Sequence, residues 1–319
     1  MPASALVVLQ YHHVSNDTPA ITSVSPERFA KHMDYIAEAK FKVVSVLDVK
    51  RWLERGEQLP DRTVVITFDD GYRSVYSQAF PELKKRGWPF AVFINTQPHD
   101  DNHPQFASWK ELREMHKAGA TIANHTVSHT HLIRQPKGVS HAQWIKQRQQ
   151  EVLAAEQRLQ KEMGVSHKLF AYPFGEYDRD LQDFLKAQGF LAFGQQSGPV
   201  ANDSDHQSLP RFPFGGAYGD MDDFSTKVAS LPFPSARIKA TDNDGSVLGQ
   251  PELPASVTRP VLRIASPLLR HLDVPSCYAS GQGKIHSEVK GDVLVARAEK
   301  ALPSGRSRYN CTAHAGGGR

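Results

Sequence analysis

The 319-residue sequence predicts an α/β fold in which a closed or nearly closed parallel barrel is followed by a smaller β-rich region. Three observations lead to this prediction. Short apolar runs alternate with amphipathic segments over residues 5–230, which gives about seven βα units. Beyond residue 231, prolines punctuate the chain and the periodic runs are strand-like. No run of the sequence approaches the ~20 apolar residues that a membrane-spanning helix requires.

The predicted barrel strands are short apolar runs, which we place at 6–9, 42–46, 64–68, 90–94, 121–123, 170–172 and 191–193. The predicted helices carry apolar residues at helical spacing, and we place them at 26–39, 47–54, 80–86, 109–118, 142–163 and 179–188. The carboxyl ends of parallel strands meet at one end of a barrel. Polar residues that directly follow these strands are therefore expected to share a site.

The second predicted region is a smaller β-rich domain. We expect domain boundaries at 5–230 for the barrel and 236–315 for this accessory domain. Its predicted strands lie at 261–265, 284–289 and 292–298. No motif in it indicates a role, so a carbohydrate-binding or interaction domain and a structural appendage both remain open.

Composition and cysteine content restrict the function only in part. The formal net charge of +4 is spread without a basic block, so no nucleic-acid partner is expected. The two cysteines, Cys277 and Cys311, would close a loop of about 35 residues as a disulfide and stabilise a small domain by ~3–4 kcal/mol. Two free thiols are the alternative, and the spacing does not decide between them.

The most informative motif is Thr67–Gly71, which follows the apolar run 64–66. Asp69 and Asp70 then lie where a buried strand enters a loop, and Gly71 permits a sharp turn. One carboxylate could bind a metal ion while the other acts as a base. The alternative is an Asx turn or a helix N-cap, which Asp-Asp-Gly often forms.

Two histidines at i and i+4, His125 and His129, add further metal ligands. Asn124, Thr126 and Ser128 make their surroundings polar and loop-like, and Ser128 could support a neighbouring ligand by a hydrogen bond. One carboxylate and two imidazoles leave open positions on a metal, whereas structural zinc sites are usually closed by four protein ligands. The sequence therefore predicts a hydrolytic divalent-metal site, and the ligand set suits Zn, Co, Ni or Fe.

Together these motifs resemble the first two motifs of the polysaccharide deacetylases, the carbohydrate esterase family 4 or NodB-homology enzymes. The resemblance covers roughly residues 5–225. It implies a distorted (β/α)7 barrel and a metal-dependent hydrolase that removes N-acetyl groups from a polysaccharide. By the same resemblance, Asp70, His125 and His129 bind the metal ion and Asp69 is the general base.

The segment Leu9–His12 narrows the resemblance to the poly-β-1,6-N-acetylglucosamine deacetylases of biofilm systems, whose barrel is circularly permuted. In that subgroup the family's last motif, Leu-x-x-His, lies at the N-terminus, and Leu9-x-x-His12 fits it. His12 is then the general acid that protonates the leaving amine. Taken alone, a histidine after an apolar strand, such as His12, is more often a buried structural residue.

Residues 170–175 resemble the family's third motif, which lines the substrate groove. Tyr172 and Pro173 are therefore expected to contact the substrate, with the backbone N–H of Tyr172 as a donor to a developing oxyanion. Trp109 is expected to form an aromatic wall of the pocket, although a core position at a helix start fits it equally well. The more familiar deacetylases carry an Arg two residues before this Pro. Ala171 stands there instead, so the partner of the general base is not identified.

The expected partner is an N-acetylated polysaccharide, and the expected products are acetate and a free amine. Chitin, peptidoglycan or acetylxylan are alternative substrates, and a non-catalytic glycan-binding barrel is the alternative outside enzymes. The segment Met1–Ser4 lacks the basic and apolar regions of a secretory signal. Because such deacetylases act on exported glycans, a periplasmic or extracellular location is nevertheless expected.

Overall fold

A computed structural model describes residues 6–233, 237–249 and 252–315. The chain divides into two compact units, residues 1–230 and residues 231–319, which we call the barrel unit and the β-rich unit. In the part of the chain that is described, no helix is both long and apolar enough to cross a lipid bilayer.

The barrel unit is built on one parallel sheet. Its strands are β1 (Leu6–Tyr11), β2 (His13–Val14), β3 (Ser23–Val24), β4 (Lys42–Val43), β5 (Thr63–Asp70), β6 (Ala91–Ile94), β7 (Thr121–Asn124), β8 (Leu169–Ala171), β9 (Leu191–Phe193) and β10 (Phe212–Pro213). Eight of them form the main sheet in the order β10-β1-β5-β6-β7-β8-β9, with β4 also pairing with β5. The short strands β2 and β3 pair separately.

The two ends of this sheet are bridged by the chain that follows β9. The N–H of Leu209 donates to the carbonyl of Ala192 at 2.9 Å, and the N–H of Gly194 donates to the carbonyl of Leu209 at 2.9 Å. This segment leads directly into β10, which lies beside β1. The sheet and its helices form a distorted (β/α) barrel, and the predicted fold class is confirmed.

Eight α-helices flank the sheet: α1 (Pro26–Glu38), α2 (Val46–Glu54), α3 (Phe80–Arg86), α4 (Thr96–Asp100), α5 (Trp109–Lys117), α6 (His141–Met163), α7 (Arg179–Ala187) and α8 (Met221–Val228). Capping boxes begin α2, α5 and α6, where Ser45, Ser108 and Ser140 each accept from a backbone N–H three residues on. The cap at Ser45 explains one error of prediction. The expected strand 42–46 ends at Val43 because Val46 already begins α2.

The core of the barrel unit lies on both faces of the sheet. All six residues of β1 and all eight of β5 are buried, as expected for central parallel strands. Along β5, Val64, Ile66 and Phe68 pack with residues of the surrounding helices, whereas Val65 packs with the side chains that fill the barrel interior. This alternation decides where the polar residues at the end of β5 point.

The β-rich unit contains two antiparallel sheets. Its strands are β11 (Arg237–Thr241), β12 (Val261–Ala265), β13 (Ser276–Ala279), β14 (Gly283–Ile285), β15 (Ser287–Lys290), β16 (Val293–Arg297) and β17 (Tyr309–Thr312). One sheet has the order β11-β12-β16-β15 and the other β14-β13-β17. Side chains of both sheets, among them Leu262, Leu294 and Cys277, form a single apolar cluster. The predicted strand 284–289 is divided into β14 and β15, and β11, β13 and β17 were not predicted.

A disulfide joins Cys277 on β13 to Cys311 on β17, which are directly opposed across the two strands. The question that the sequence left open is therefore decided in favour of a bond. Because the two cysteines are 34 positions apart in the sequence, the chain-entropy model gives about 3–4 kcal/mol of stabilisation for this unit.

A buried histidine in the barrel unit leads to a prediction about pH and stability. His32 of α1 is fully buried, with its Nδ1 2.9 Å from the Tyr11 hydroxyl and its Nε2 3.0 Å from the carbonyl of Gly219. Burial lowers the pKa of His32 from 6.5 to about 4, opposed by the Gly219 carbonyl. As the pH falls, the unfolded chain binds this proton at a higher pH than the folded protein does. The contribution of neutral, buried His32 to the free energy of unfolding is therefore complete above pH 6.5 and is lost as the pH falls to 4.

We expect the free energy of unfolding to fall by about 2 kcal/mol more in the wild type than in His32→Gln between pH 7 and pH 5. Glutamine can accept from Tyr11 and donate to Gly219, but it does not titrate. Urea unfolding of both proteins at the two pH values measures the difference, in which all other titrating groups cancel. Parallel pH profiles for the two proteins would contradict this expectation.

Candidate active site

The site begins at the carboxyl end of β5. Because side chains alternate along a strand, Asp69 lies on the same face as Val65 and Thr67 and points into the barrel interior. Asp70 would point to the opposite face in a regular strand. Its φ of +72° places it in the left-handed region, so the backbone turns at this residue. Two adjacent carboxylates can therefore serve one site.

Asp69 is fully buried and held by two side chains. Arg211 makes a bidentate contact with it, in which one terminal nitrogen donates to Oδ1 and the other to Oδ2, each at 2.7 Å. The Gln10 amide donates to Oδ2 at 2.6 Å. Arg211 is itself fully buried and donates from Nε to the carbonyl of Gly194 at 2.9 Å. This two-pronged, charge-assisted contact fixes the plane of the carboxylate.

Arg211 supplies the partner that the third motif lacks at Ala171. The sequence does not identify Arg211 as this partner, because it lies 142 residues from Asp69 and immediately precedes β10. Only the pairing of β10 with β1, the neighbour of β5, brings the two side chains together. The one available signal is an arginine at the start of a short apolar strand near the end of the barrel region.

The charges around Asp69 keep it ionised. Burial alone would raise the pKa of this carboxyl, but Arg211, followed by His125 and His12, lowers it below its ordinary value. At neutral pH Asp69 is therefore a carboxylate. Oδ1 accepts one hydrogen bond from Arg211 and keeps a second lone pair, so Asp69 can still accept a proton or a hydrogen bond there.

Next to this pair, Asp70, His125 and His129 converge. The Nε2 atoms of both histidines lie 3.4 Å from Oδ1 of Asp70. One ligand atom from each residue lies within 4.8 Å of the others. Burial, and then the neighbouring His125, lowers the pKa of His129 to about 4, so its imidazole is neutral at neutral pH. The three side chains can hold one divalent cation.

The unpaired atoms of this cluster fit a metal ion. Oδ1 of Asp70 and Nε2 of His125 are buried and make no hydrogen bond. Buried polar atoms are almost always paired, and a metal ion bound between these two would satisfy both. His125 donates from Nδ1 to the carbonyl of Ala171 at 2.7 Å, which directs the lone pair of Nε2 towards Asp70.

Helix α6 holds the loop that carries the two histidines. The carboxylate of Glu151 accepts from the N–H groups of Val127 and Ser128 at 3.1 and 2.9 Å. The hydroxyl of Thr126 accepts from the N–H of His129 at 3.0 Å. The supporting hydroxyl is thus that of Thr126, whereas Ser128, for which we expected this role, is exposed.

The backbone at the site is strained. Among the described non-glycine residues, eight have a positive φ, and four of these are Asp70, Thr126, His129 and Phe174. Such conformations persist only where the surrounding structure imposes them, and they concentrate at functional sites. The loop hydrogen bonds above supply that constraint.

Gly71 gives a test of this geometry. Its φ is +77°, and a Cβ on it would lie 2.7 Å from Cγ2 of Ile94 and 2.8 Å from the His99 ring. We expect Gly71→Ala to lower stability by about 1–3 kcal/mol more than Gly87→Ala, because Gly87 has a similar φ of +66° but nothing within 4 Å. Displacement of the adjacent Asp70 should also reduce activity at least about tenfold. Equal effects of the two substitutions, by urea unfolding and acetate release, would contradict the steric argument.

The two histidines after β1 differ in their surroundings. His12 is half-buried, and its charge is among the influences that lower the pKa values of both Asp69 and Asp70. His13 is buried and stacks on Tyr72 with ring centroids 3.6 Å apart. Burial, followed by the charge of the nearby Asp70, raises the pKa of Tyr72. His13 thus supports the wall of the site.

The third motif differs from expectation in one respect. The N–H of Tyr172 donates to the carbonyl of Phe193 at 3.0 Å, so the predicted oxyanion role for this N–H is wrong. The Tyr172 side chain is fully buried and Pro173 is also buried. The aromatic residue that is exposed beside the metal ligands is Phe174, whose ring centroid lies 4.5 Å from that of His129.

His131 packs against the Phe174 ring, and Glu176 in turn contacts His131. The His131 ring stacks on that of Phe174 with centroids 3.9 Å apart, and His131 Nδ1 lies 2.8 Å from the carboxylate of Glu176.

Trp109 has a different environment from the predicted pocket wall. Its indole N–H donates to Asp100 at 2.8 Å, and the Arg158 guanidinium lies 4.6 Å from its ring centroid. These contacts fit the alternative of a packed residue at the start of α5.

Known proteins are similar to this chain in sequence and in fold. A family model described as polysaccharide deacetylase matches residues 56–193. The poly-beta-1,6-N-acetyl-D-glucosamine N-deacetylase of Escherichia coli (strain K12) is 26% identical over 247 residues, which cover 66% of this chain and 36% of that protein. A protein of the same name from Staphylococcus epidermidis is 27% identical over 200 residues, covering 59% of this chain and 67% of that one.

A solved structure is similar over most of its length. The structure of IcaB from Ammonifex degensii aligns with a TM-score of 0.62 at 26% identity, covering 71% of this chain and 98% of that chain. The aligned region spans only about a third of the E. coli relative, 36% of its length. This chain is therefore similar to only a part of the E. coli relative.

Proposed function

The barrel unit contains a polysaccharide deacetylase domain, a domain of hydrolytic enzymes, and from this premise we propose that the protein is a metal-dependent polysaccharide N-deacetylase acting on poly-β-1,6-N-acetylglucosamine. The observation that carries the proposal is the convergence of Asp70, His125 and His129 beside the buried Asp69–Arg211 pair. A non-catalytic glycan-binding barrel has no use for an ionised carboxylate fixed next to an open metal site.

The proposed metal ligands are Asp70, His125 and His129. The chemistry supplied at that position is acidification of a water molecule and polarisation of the acetamide carbonyl. Three protein ligands leave positions open for water and substrate, as in catalytic sites. Metal identity is left to experiment, because this ligand set suits Zn, Co, Ni or Fe.

In this proposal the chain's own residues move the protons. Asp69 accepts a proton from the attacking water as the new C–O bond forms, and Arg211 and Gln10 keep its carboxylate in one orientation. His12 donates a proton to the sugar nitrogen as the C–N bond breaks. One amide and one water thus give acetate and an amine, with no other co-reactant.

The choice of glycan rests on the relatives, two of which are named for poly-beta-1,6-N-acetyl-D-glucosamine. The exposed Phe174 ring beside His129 provides an apolar surface for a sugar. The proposed location is the periplasm or the cell exterior, and the disulfide of the β-rich unit supports it because such bonds persist in oxidising compartments.

The test is acetate release from a panel of acetylated substrates. We expect release from β-1,6-linked N-acetylglucosamine oligomers to exceed that from chitin oligomers, peptidoglycan and acetylxylan. Chelation should abolish release, and Zn, Co or Ni should restore it. Release from another substrate of the panel at a higher rate would replace the proposed glycan. Release that survives complete chelation would contradict the metal-dependent mechanism.

A further inference from the structure

The β-rich unit carries the chain's excess of positive charge. Residues 231–319 contain 12 of the 38 Lys and Arg residues but only 7 of the 34 Asp and Glu residues. The formal charge of this unit is therefore +5, while that of the barrel unit is −1. Such an asymmetry between two parts of one chain indicates a part that meets an anionic partner.

Much of this charge lies on one face of a sheet. In the sheet β11-β12-β16-β15, Leu262, Ile264 and Leu294 point into the core. Because side chains alternate, the residues between them point outwards. The outward basic residues are Arg237, Lys239, Arg263, Lys290 and Arg297. We call these five residues the cationic face.

The cationic face contains a like-charged pair. Lys239 on β11 lies directly opposite Arg263 on β12, and both side chains are exposed. Like charges placed directly across two strands destabilise a sheet. Within the described ranges, no ion pair involves Arg237, Lys239, Arg263 or Arg297. Glu288 on the edge strand β15 is held by Lys290 at 2.7 Å. The repulsion is thus left without an internal counter-charge.

The layout of these charges suits an extended anionic chain. Arg237 and Lys239 are two residues apart on one strand, which corresponds to roughly 6–7 Å, and adjacent strands are about 5 Å apart. Lys239 and Arg263 are directly opposed on β11 and β12, and Arg297 lies on β16 two residues from Val295, the residue opposite Arg263. The cations are therefore spread along and across three adjacent strands rather than gathered in a single pocket, and this spread matches a polymer with repeated negative charges.

The same face lacks the features of two other anionic partners. A membrane-binding surface combines cations with exposed large apolar side chains. The outward apolar residues between the cations are Val261, Ala265, Val293 and Val295, which are all half-buried. The exposed Ile238 of β11 is opposite Ile264 and so lies on the other face of the sheet. A surface for single-stranded nucleic acid presents aromatic rings for stacking. No outward position of this sheet is aromatic among the described residues.

We propose that the cationic face binds an acidic polysaccharide, a linear glycan with repeated carboxylates, and so holds the protein on an anionic glycan matrix. The preference for a glycan over other polyanions rests on the proposed function of the barrel unit. The binding itself is separate from deacetylation, because it uses none of the residues of the active site.

The test uses the full chain and polygalacturonate, a probe that carries no acetyl groups. Binding is measured by calorimetry at low salt and in 0.5 M NaCl, with neutral dextran for comparison. We expect binding to polygalacturonate only, and a marked loss in high salt because screening weakens exposed charges. The double variant Lys239→Glu/Arg263→Glu should bind at least about tenfold more weakly. It keeps a like-charged pair, so its unfolding midpoint should stay close to that of the wild type.

A matched control separates the face from net charge. Lys284 and Lys300 are exposed cations of the same unit that lie outside this sheet. Lys284→Glu/Lys300→Glu changes the net charge equally and should retain binding within about threefold. Equal losses in the two double variants, or no binding to polygalacturonate, would overturn the proposal. Tighter binding to phosphatidylglycerol vesicles or to an oligonucleotide would overturn the choice of a polysaccharide.

A single substitution provides a readout besides binding. Lys239→Glu places a carboxylate opposite Arg263 and should raise the urea midpoint while it weakens binding to polygalacturonate. If the pair had no role in binding, Lys239→Glu would change the urea midpoint without weakening binding to polygalacturonate. Since the probe contains no acetyl groups, this result does not depend on deacetylase activity, and either proposal can fail while the other holds.

Discussion

Asp69→Asn is expected to abolish turnover while the protein still binds its metal ion, and His125→Ala is expected to lose both. Asparagine keeps the size of Asp69 but cannot take a proton, and a general base contributes about 10²–10⁴-fold to a rate. His125 is a proposed metal ligand whose Nε2 is buried and otherwise unpaired. Removing it takes away one of three protein ligands.

Bound metal and acetate release should be measured on the same preparations. A second readout is independent of activity: added metal should raise the thermal midpoint of the wild type and Asp69→Asn but not of His125→Ala, because a ligand stabilises only the state that binds it. His131→Ala is the control for bound metal and for the rise in thermal midpoint, since this nearby imidazole contacts Phe174 and Glu176 rather than Asp70. Full activity in Asp69→Asn, or normal metal content in His125→Ala, would contradict the assigned roles.

The fold class could be predicted from the sequence because it depends on patterns within each segment. The alternation of strands and helices over residues 5–230 needs only the apolar periodicity of each segment. Most errors occur where a neighbour decides the outcome. Val46 belongs to a helix because Ser45 caps it. The strands β13 and β17, which carry the disulfide, are short and mixed in polarity, so no periodic signal marks them.

In the candidate site, too, residues within one motif could be predicted, whereas contacts between distant segments could not. Asp70, His125 and His129 were recognised because motif residues stay close together in sequence. Arg211 could not be recognised, because its contact with Asp69 depends on how the barrel returns to β1. For Tyr172, the direction of the chain decides the matter. Its N–H donates to the carbonyl of Phe193 on β9. The positive φ of Phe174 leaves the Phe174 ring exposed instead.

Arg211→Lys is expected to lower kcat roughly 100-fold with a small effect on KM and on bound metal. Lysine keeps the positive charge near Asp69 but offers a single ammonium in place of the planar fork, so the carboxylate is no longer held in one plane. Small displacements of a catalytic group can cost about two orders of magnitude in rate. Steady-state kinetics with metal analysis checks the division between kcat and KM.

Arg211→Met should be far more damaging to stability. It leaves the fully buried Asp69 carboxylate without its cation, and breaking a buried pair in this way costs about 3–5 kcal/mol. The double variant Arg211→Met/Asp69→Asn removes both charges and should recover much of that loss while remaining inactive. Arg148→Lys is the control, because Arg148 is a buried arginine paired with Asp178 in the same unit. If Arg148→Lys reduced kcat as much as Arg211→Lys, the effect would reflect general destabilisation rather than the orientation of Asp69.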